Sequence, residues 1–259
     1  MIGSRGDTGA STGIGFELAK LAAQDGYDLI VAADEPRIDA AAREFEAFGT
    51  RVDAVEVDLS TIEGVDTLLA AAEGRSVDVV IANAGISKGG AFLDQEVASW
   101  QRSIGTNVTG TVYLLQRVLR EMVARDAGKV LVTGSIVGYI PGPFNAIYNA
   151  TKAFIDNFTE ALRNELKDSE GVTLTTLMPG ATDTEFFDRA GMRDTQVGQD
   201  DSKADPAKVA KDGWDAMLSS KEHIVSGLFN KAQVLATGVV PQAVLAEQHR
   251  KIAQPGGGR

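Results

Sequence analysis

The sequence predicts an α/β fold: a doubly wound parallel sheet with helices on both faces. Three observations predict it. Short Val/Ile/Leu-rich runs recur about every 20–25 residues, with little strict alternation, as in parallel strands covered on both faces. Between them lie stretches with apolar residues three and four apart, the spacing of a helix face. No Pro/Gly-rich linker divides the 259 residues, a length that suits one large α/β domain or two small ones, so one domain spanning 1–259 is expected.

The elements follow in order. Apolar runs at 28–33 (DLIVAA), 51–57 (RVDAVEV), 77–84 (VDVVIANA), 129–134 (KVLVTG) and 172–178 (VTLTTLM) read as strands, and 14–25, 36–48 and 61–73 as helices. This alternation implies right-handed crossovers. Residues 183–204 are polar and irregular and read equally as a lid over a site or as an ordinary surface loop. The segment 205–259 reads as helices around a short strand at 223–226, with an amphipathic stretch from Ala232 to Ala253.

The beginning of the chain breaks the pattern. A glycine turn should follow a buried strand, yet Gly3, Ser4, Arg5, Gly6 and Asp7 precede it. A buried Val, Ile or Leu contributes about 1.5–3 kcal/mol, and only Met1 and Ile2 are available for that task. A short or distorted first strand, with reduced cofactor affinity, is expected. The alternatives are a natural start further upstream and a disordered turn. The tripeptide RGD at 5–7 is read as chance.

Composition narrows the chemistry. The net charge is −11 with no long Lys/Arg run, which argues against nucleic acid as a partner. There are no cysteines and only two histidines, His223 and His249, so no metal site is expected and most Ser-His-Asp schemes lack their base. No apolar run reaches the about 18–20 residues of a membrane span, and no signal peptide is recognisable. The expectation is a cytoplasmic protein without a membrane partner.

In Thr8-Gly9-Ala10-Ser11-Thr12-Gly13-Ile14-Gly15, glycines are spaced for a strand-to-helix turn. Glycine permits positive φ and close approach of backbone to a pyrophosphate, and the following helix offers free N–H groups. Open α/β sheets bind ligands beyond the carboxyl ends of their strands. At those ends stand Asp34, Asp58 followed by Leu59, the run Asn83-Ala84-Gly85, Ser135, and Pro179-Gly180. Each carboxylate there is a candidate ligand for ribose or adenine, and Asp58 reads equally well as a helix cap.

In YNATK (148–152), Tyr148 and Lys152 are four residues apart and share a helix face. An ammonium near a phenol favours phenolate and lowers its pKa from about 10. A tuned proton donor is what carbonyl reduction requires. Ser135 precedes Tyr148 by 13 residues at a strand end, placed to hold a substrate oxygen. Asn107 is an amide in an otherwise apolar helical stretch, a candidate site residue with a helix-distorting role as the alternative.

These motifs together resemble the short-chain dehydrogenase/reductase family. TGASTGIG, NAG at 83–85, Asn107, Ser135, YNATK and PGATDT at 179–184 occur in that family's order and spacing, tightly from residue 8 to about 185. The resemblance implies a Rossmann-type sheet and a nicotinamide cofactor. It implies Tyr148 as general acid/base and Lys152 as ligand of the nicotinamide ribose that lowers the phenol pKa. Ser135 would orient the carbonyl, and Asn107 would hold a water in a proton relay. The implied cofactor set is Gly9, Ser11, Gly13, Ile14, Gly15, Asp34, Asp58, Leu59, Asn83, Ala84, Gly85, Tyr148, Lys152, Pro179, Gly180, Thr182 and Thr184.

Asp34 lies 19 residues after Gly15, where a ribose-binding acid is expected, and its charge favours NAD over a 2′-phosphate. Against this, the family's NAD-type acid more often aligns with Ala33, and Arg37 is close enough to admit NADP. The expected reaction is alcohol–carbonyl interconversion by hydride transfer. Phe144, Phe186, Phe187 and Met192 read equally as an apolar substrate pocket or as core. The alternatives are a nucleotide-sensing scaffold and an epimerase or dehydratase on the same fold. By resemblance, a homodimer or homotetramer is expected.

Overall fold

In a computed structural model, residues 2–3, 9–72 and 74–258 are described. The apolar runs become β2 (Leu29–Ala33), β3 (Val52–Glu56), β4 (Val79–Ala82), β5 (Gly128–Thr133) and β6 (Val172–Met178), with β1 (Ile2–Gly3) before them and β7 (His223–Val225) after. They form one parallel sheet in the order β3-β2-β1-β4-β5-β6-β7. The chain runs outward from β1 to β3, then returns to β4 and runs the other way. Ligand crevices form at such a reversal, beyond the carboxyl ends of the central strands.

The lack of alternation has a direct cause. Leu29, Val31 and Ala33 of β2, with Val79 and Ile81 of β4, face α1 (Gly13–Gln24), α2 (Arg37–Glu46) and α9 (Pro206–Leu218). Their neighbours Ile30, Ala32, Val80 and Ala82 face α3 (Ile62–Ala70), α5 (Thr111–Ala124) and α6 (Ala146–Glu165). Both faces are dry, so every position is apolar. Trp214 Nε1 donates to Asp25 Oδ2 at 2.8 Å and ties α9 to the end of α1.

Local chemistry sets the helix starts. Asp205 accepts from the Ala207 N–H at 3.0 Å, and Pro206 occupies the first turn of α9. Asp58 is not the cap of α3. Its Oδ1 accepts from the Ser60 N–H at 2.9 Å, while Thr61 caps the helix by accepting from Gly64 N–H at 3.0 Å.

The first strand is described at Ile2 and Gly3, which pair with Ile30 and Val31 on one side and Val80 and Ile81 on the other. Residues 4–8, with the Arg5–Asp7 tripeptide and Thr8, lie outside the described residues. No helix among the described residues is long and apolar enough to cross a membrane.

The remaining helices surround the carboxyl edge of the sheet. α4 (Val97–Ile104) passes into α5 through a π-helical turn at Gly105–Gly110. After β6 come α7 (Phe186–Arg189) and α8 (Gln196–Gln199). The ends of this excursion meet where the Asp183 N–H donates to Ala204 O at 2.9 Å. α10 (Leu228–Thr237) and α11 (Gln242–Ala253) follow β7.

Candidate active site

β5 delivers Ser135 two residues past its end, and α6 delivers Tyr148 and Lys152 from its first two turns. Ser135 is buried, its Oγ donating to Pro179 O at 3.2 Å and accepting from Val137 N–H at 3.3 Å. Lys152 is buried and donates from Nζ to Thr133 O at 2.7 Å. Its Nζ lies 5.7 Å from the centre of the Tyr148 ring, so the two side chains share one side of the helix. Phe186 of α7 packs against that ring with centroids 5.1 Å apart.

Asn107 sits in the π-helical turn, fully buried. Its Oδ1 accepts from Ile86 N–H at 2.8 Å, and its Nδ2 donates to Ile86 O and Thr151 Oγ1, both at 2.9 Å. The amide therefore locks α5 and α6 to the strand-end loop that carries Gly85. A Cβ on Gly85 would stand 3.2 Å from Lys152 Nζ and 3.8 Å from Asn107 Oδ1, so those two groups are close neighbours.

Burial governs the charges here. It raises the Tyr148 phenol above its ordinary value, the Asp156 carboxylate adds to the rise, and the Ser135 hydroxyl opposes it. The sequence expectation of a lowered phenol thus meets the opposite sign, because desolvation and the Asp156 charge outweigh the Ser135 hydrogen bond. Burial also brings Lys152 down to about 8, against the pull of Asp156. Asp156, one helical turn beyond Lys152, is pushed up to about 7 by burial, with Lys152 and then the Ser135 amide dipole favouring its charge. Among the described residues, neither Asp156 oxygen has a hydrogen-bond partner.

The glycine turn is built for close approach. Gly13 has φ +59°, and a Cβ there would meet the Thr184 methyl at 3.0 Å. A Cβ on Gly15 would meet Gly9 O at 2.5 Å and Asn83 Nδ2 at 2.6 Å. α1 thus starts with bare backbone facing the crevice, which suits the phosphates of a dinucleotide. Asn83 is fixed by Thr133 Oγ1, which donates to its Oδ1 at 2.9 Å.

Next to this turn lies a charge network. Ser11 Oγ donates to Glu35 Oε1 at 2.8 Å, and Arg37 pairs with Glu35 at 3.1 Å. Arg37 also grips Glu185 through both terminal nitrogens, at 3.0 and 2.7 Å, and Arg189 pairs with Glu185 at 2.5 Å and Glu35 at 3.4 Å. Asp34 pairs with Arg102 of α4.

A cavity of about 1270 Å³ runs from Ile14 and Asn83 past Ser135, Tyr148 and Lys152 to the C-terminal helices. Residues 8–194 match the short chain dehydrogenase family. The chain belongs to the short-chain dehydrogenase/reductase family. An uncharacterised oxidoreductase from Staphylococcus epidermidis is 33% identical over 180 residues, which cover 68% of this chain and 76% of that protein. A 3-oxoacyl-(acyl-carrier-protein) reductase from the same species is 32% identical over 177 residues, 67% of this chain and 72% of that one. A short-chain dehydrogenase from Sphingobium yanoikuyae, solved in complex with NADPH, superposes with a TM-score of 0.80 at 27% identity, covering 93% of this chain and 96% of that one. The protein is thus an oxidoreductase of this family with the Rossmann-type sheet its sequence implies.

Within this short-chain dehydrogenase, the cavity wall gathers Ile14, Asn83, Gly85, Ser135, Tyr148, Lys152, Pro179, Gly180, Thr182 and Thr184 of the sequence-derived set. Gly9, Ser11, Gly13 and Gly15 stand behind that wall in the turn, with Ala84 and Asn107 packed beneath it. Asp34, Asp58 and the buried Leu59 lie off the wall. The sequence reading missed Glu35, which a view fixed on Asp34 passed over although it stands between Asp34 and Arg37. It also missed Asn230 of α10, whose amide would be 2.5 Å from a Cβ on Gly180, and His249 of α11 on the cavity wall. Those two come from the far end of the chain, and no local pattern marks them.

Proposed function

We propose that this oxidoreductase interconverts a secondary alcohol and a ketone, or a primary alcohol and an aldehyde, with a nicotinamide dinucleotide. The observation that carries this reading is the cluster of Ser135, Tyr148 and Lys152 on one cavity that continues to the glycine turn. The residues present fit the dinucleotide: the turn at Gly13 and Gly15 has no room for side chains, and free N–H groups start α1. When bound, the nicotinamide supplies or takes up the hydride.

The chain's own residues handle the proton and the oxygen. Ser135 donates a hydrogen bond to the carbonyl oxygen and holds it beside the Tyr148 hydroxyl. Tyr148 gives its proton to that oxygen in reduction and takes one back in oxidation. Lys152, held by Thr133 O, places a positive charge near the phenolate formed in reduction and stabilises it. Asn107 braces the Lys152 side of the site and orders the proton's route to solvent.

NAD is the proposed partner. The carboxylates of Asp34 and Glu35 adjoin the turn, and Arg37 is committed to Glu35 and Glu185, which leaves a 2′-phosphate facing acidic groups. The pocket beyond Tyr148 is lined by Phe186, Phe187, Met192 and Leu245, which suits an uncharged, largely apolar carbonyl compound. Residues 183–204 serve as its lid.

The test is a panel of ketones and aldehydes, each assayed with NADH and NADPH deuterated at C4. The expected result is deuterium on the product carbinol carbon, with kcat/KM higher for NADH. A tenfold preference for NADPH, about 1.4 kcal/mol, overturns the cofactor assignment. Product formation without net cofactor turnover indicates an epimerase or dehydratase. Nicotinamide binding without any turnover indicates a sensor.

A further inference from the structure

His249 is the one group on the substrate side of the cavity whose protonation pattern the structure dictates. It sits on α11 and is 95% buried, with 5% of its surface exposed, yet it lines the cavity. Its Nδ1 lies 3.1 Å from Pro143 O, in the loop leading into the catalytic helix. A carbonyl oxygen only accepts, so Nδ1 carries the proton. Burial lowers the imidazole's affinity for a second proton, despite that carbonyl. Nε2 is then a bare lone pair, and no described residue donates to it. On the wall of the cavity, that lone pair is open to a donor from a ligand or from water.

The support behind His249 is rigid on several sides. Arg250, next in sequence, stacks its guanidinium on the Phe144 ring at 5.1 Å. The tail beyond α11 is pinned to the lid, where the Gly256 N–H donates to Asp194 Oδ2 at 2.7 Å and the Gly258 N–H donates to Asp194 O at 2.9 Å. Ala253 packs with Ala190 and Met192. The imidazole is therefore held in place, as a specificity contact must be.

We infer that His249 selects the substrate: its Nε2 accepts a hydrogen bond from a hydroxyl or N–H that the carbonyl compound carries away from its reacting carbon. The preferred substrate class is an uncharged hydroxy- or amido-ketone with an apolar body, not a plain hydrocarbon ketone. This deepens the proposed alcohol–carbonyl activity and rests on it. A site built to accept a substrate donor discriminates strongly against the analogue that lacks it, because the acceptor is then left unpaired.

The test uses pairs of ketones that differ only by one remote hydroxyl, with the wild type, His249→Asn and His249→Gln. Asn keeps a donor where Nδ1 meets Pro143 O and removes the acceptor at Nε2. Gln can return an amide oxygen to that place. In the wild type, at least one hydroxy-ketone exceeds its parent by about tenfold or more in kcat/KM. His249→Asn erases that ratio through a raised KM for the hydroxy-ketone, and His249→Gln restores part of it. The inference is overturned if no hydroxy-ketone is preferred, if His249→Asn keeps the ratio, or if both members of the pair fall together, as loss of a mere wall would produce. Melting curves on both variants identify a folding defect, and the variant that retains the wild-type melting temperature then decides. If the wild type reduces neither member of any pair, the proposed activity itself fails, and this inference falls with it.

Discussion

At the carbonyl end of the cleft, Ser135, Tyr148 and Lys152 stand on a six-residue strand and a 20-residue helix, and Asn107 braces them with three hydrogen bonds. At the nucleotide end, the glycine turn follows a described strand of two residues, and Ser11 of the turn leads into a network of exposed or half-buried ions. The chemical end draws its order from buried, long-range packing. The nucleotide end draws its order from backbone shape and from ion pairs. Surface pairs of this kind contribute about 0–1 kcal/mol each, so affinity there depends on the turn itself. The two ends should therefore fail differently when altered.

The largest expected effect at the nucleotide end comes from Gly15→Val. Its added carbons would overlap Gly9 O and the Asn83 amide, and overpacking of this kind costs about 1–3 kcal/mol. Nicotinamide affinity, measured by calorimetric titration, is expected to fall at least about tenfold, with Ser135 and Tyr148 left in place. Unchanged affinity would mean that the turn is not where the dinucleotide lies.

A gain is expected from the same end. Replacing residues 2–7 by an apolar strand sequence should raise both the melting temperature and the nicotinamide affinity. For a chain of about this size, each kcal/mol gained adds about 2–4 °C. No rise in either quantity would show that the short strand does not limit the nucleotide end.

The smallest effect is expected from Asp156→Asn, at the chemical end. The wild-type carboxyl is pushed up to about 7 in the fold from an ordinary 3.8. Between those values the folded state binds the extra proton, so this group costs stability as pH rises through that window. The Asn variant avoids the cost, so its melting temperature gains on wild type from pH 4 to 7. Removing the charge also lowers the Tyr148 phenol, so the acid limb of alcohol oxidation, where the base is still protonated, moves to lower pH. A limb that stays put would detach Asp156 from the phenol.

The same contrast explains what the sequence made legible. The strands were readable because both faces of the sheet are covered, so Leu29–Ala33 and Val79–Ala82 are apolar without interruption. The Tyr148–Lys152 pair was readable because helical spacing alone puts both on one face. The phenol's direction of shift was not, because desolvation depends on what encloses the ring. The tie between Arg37 and Glu185 spans 148 residues, and His249 meets Pro143 across 106. Contacts of that range leave no periodic trace, and the substrate side of the cavity is made of them.

The central claim is that the Tyr148 phenol moves the proton in a nicotinamide-dependent reaction. The most direct measurement is single-turnover carbonyl reduction by the wild type and Tyr148→Phe, with nicotinamide affinity titrated on the same samples. The account predicts a rate loss of about 10³-fold, within the range of general acid catalysis, and a dissociation constant within about threefold of wild type. A variant that reduces the carbonyl at a wild-type rate would contradict it.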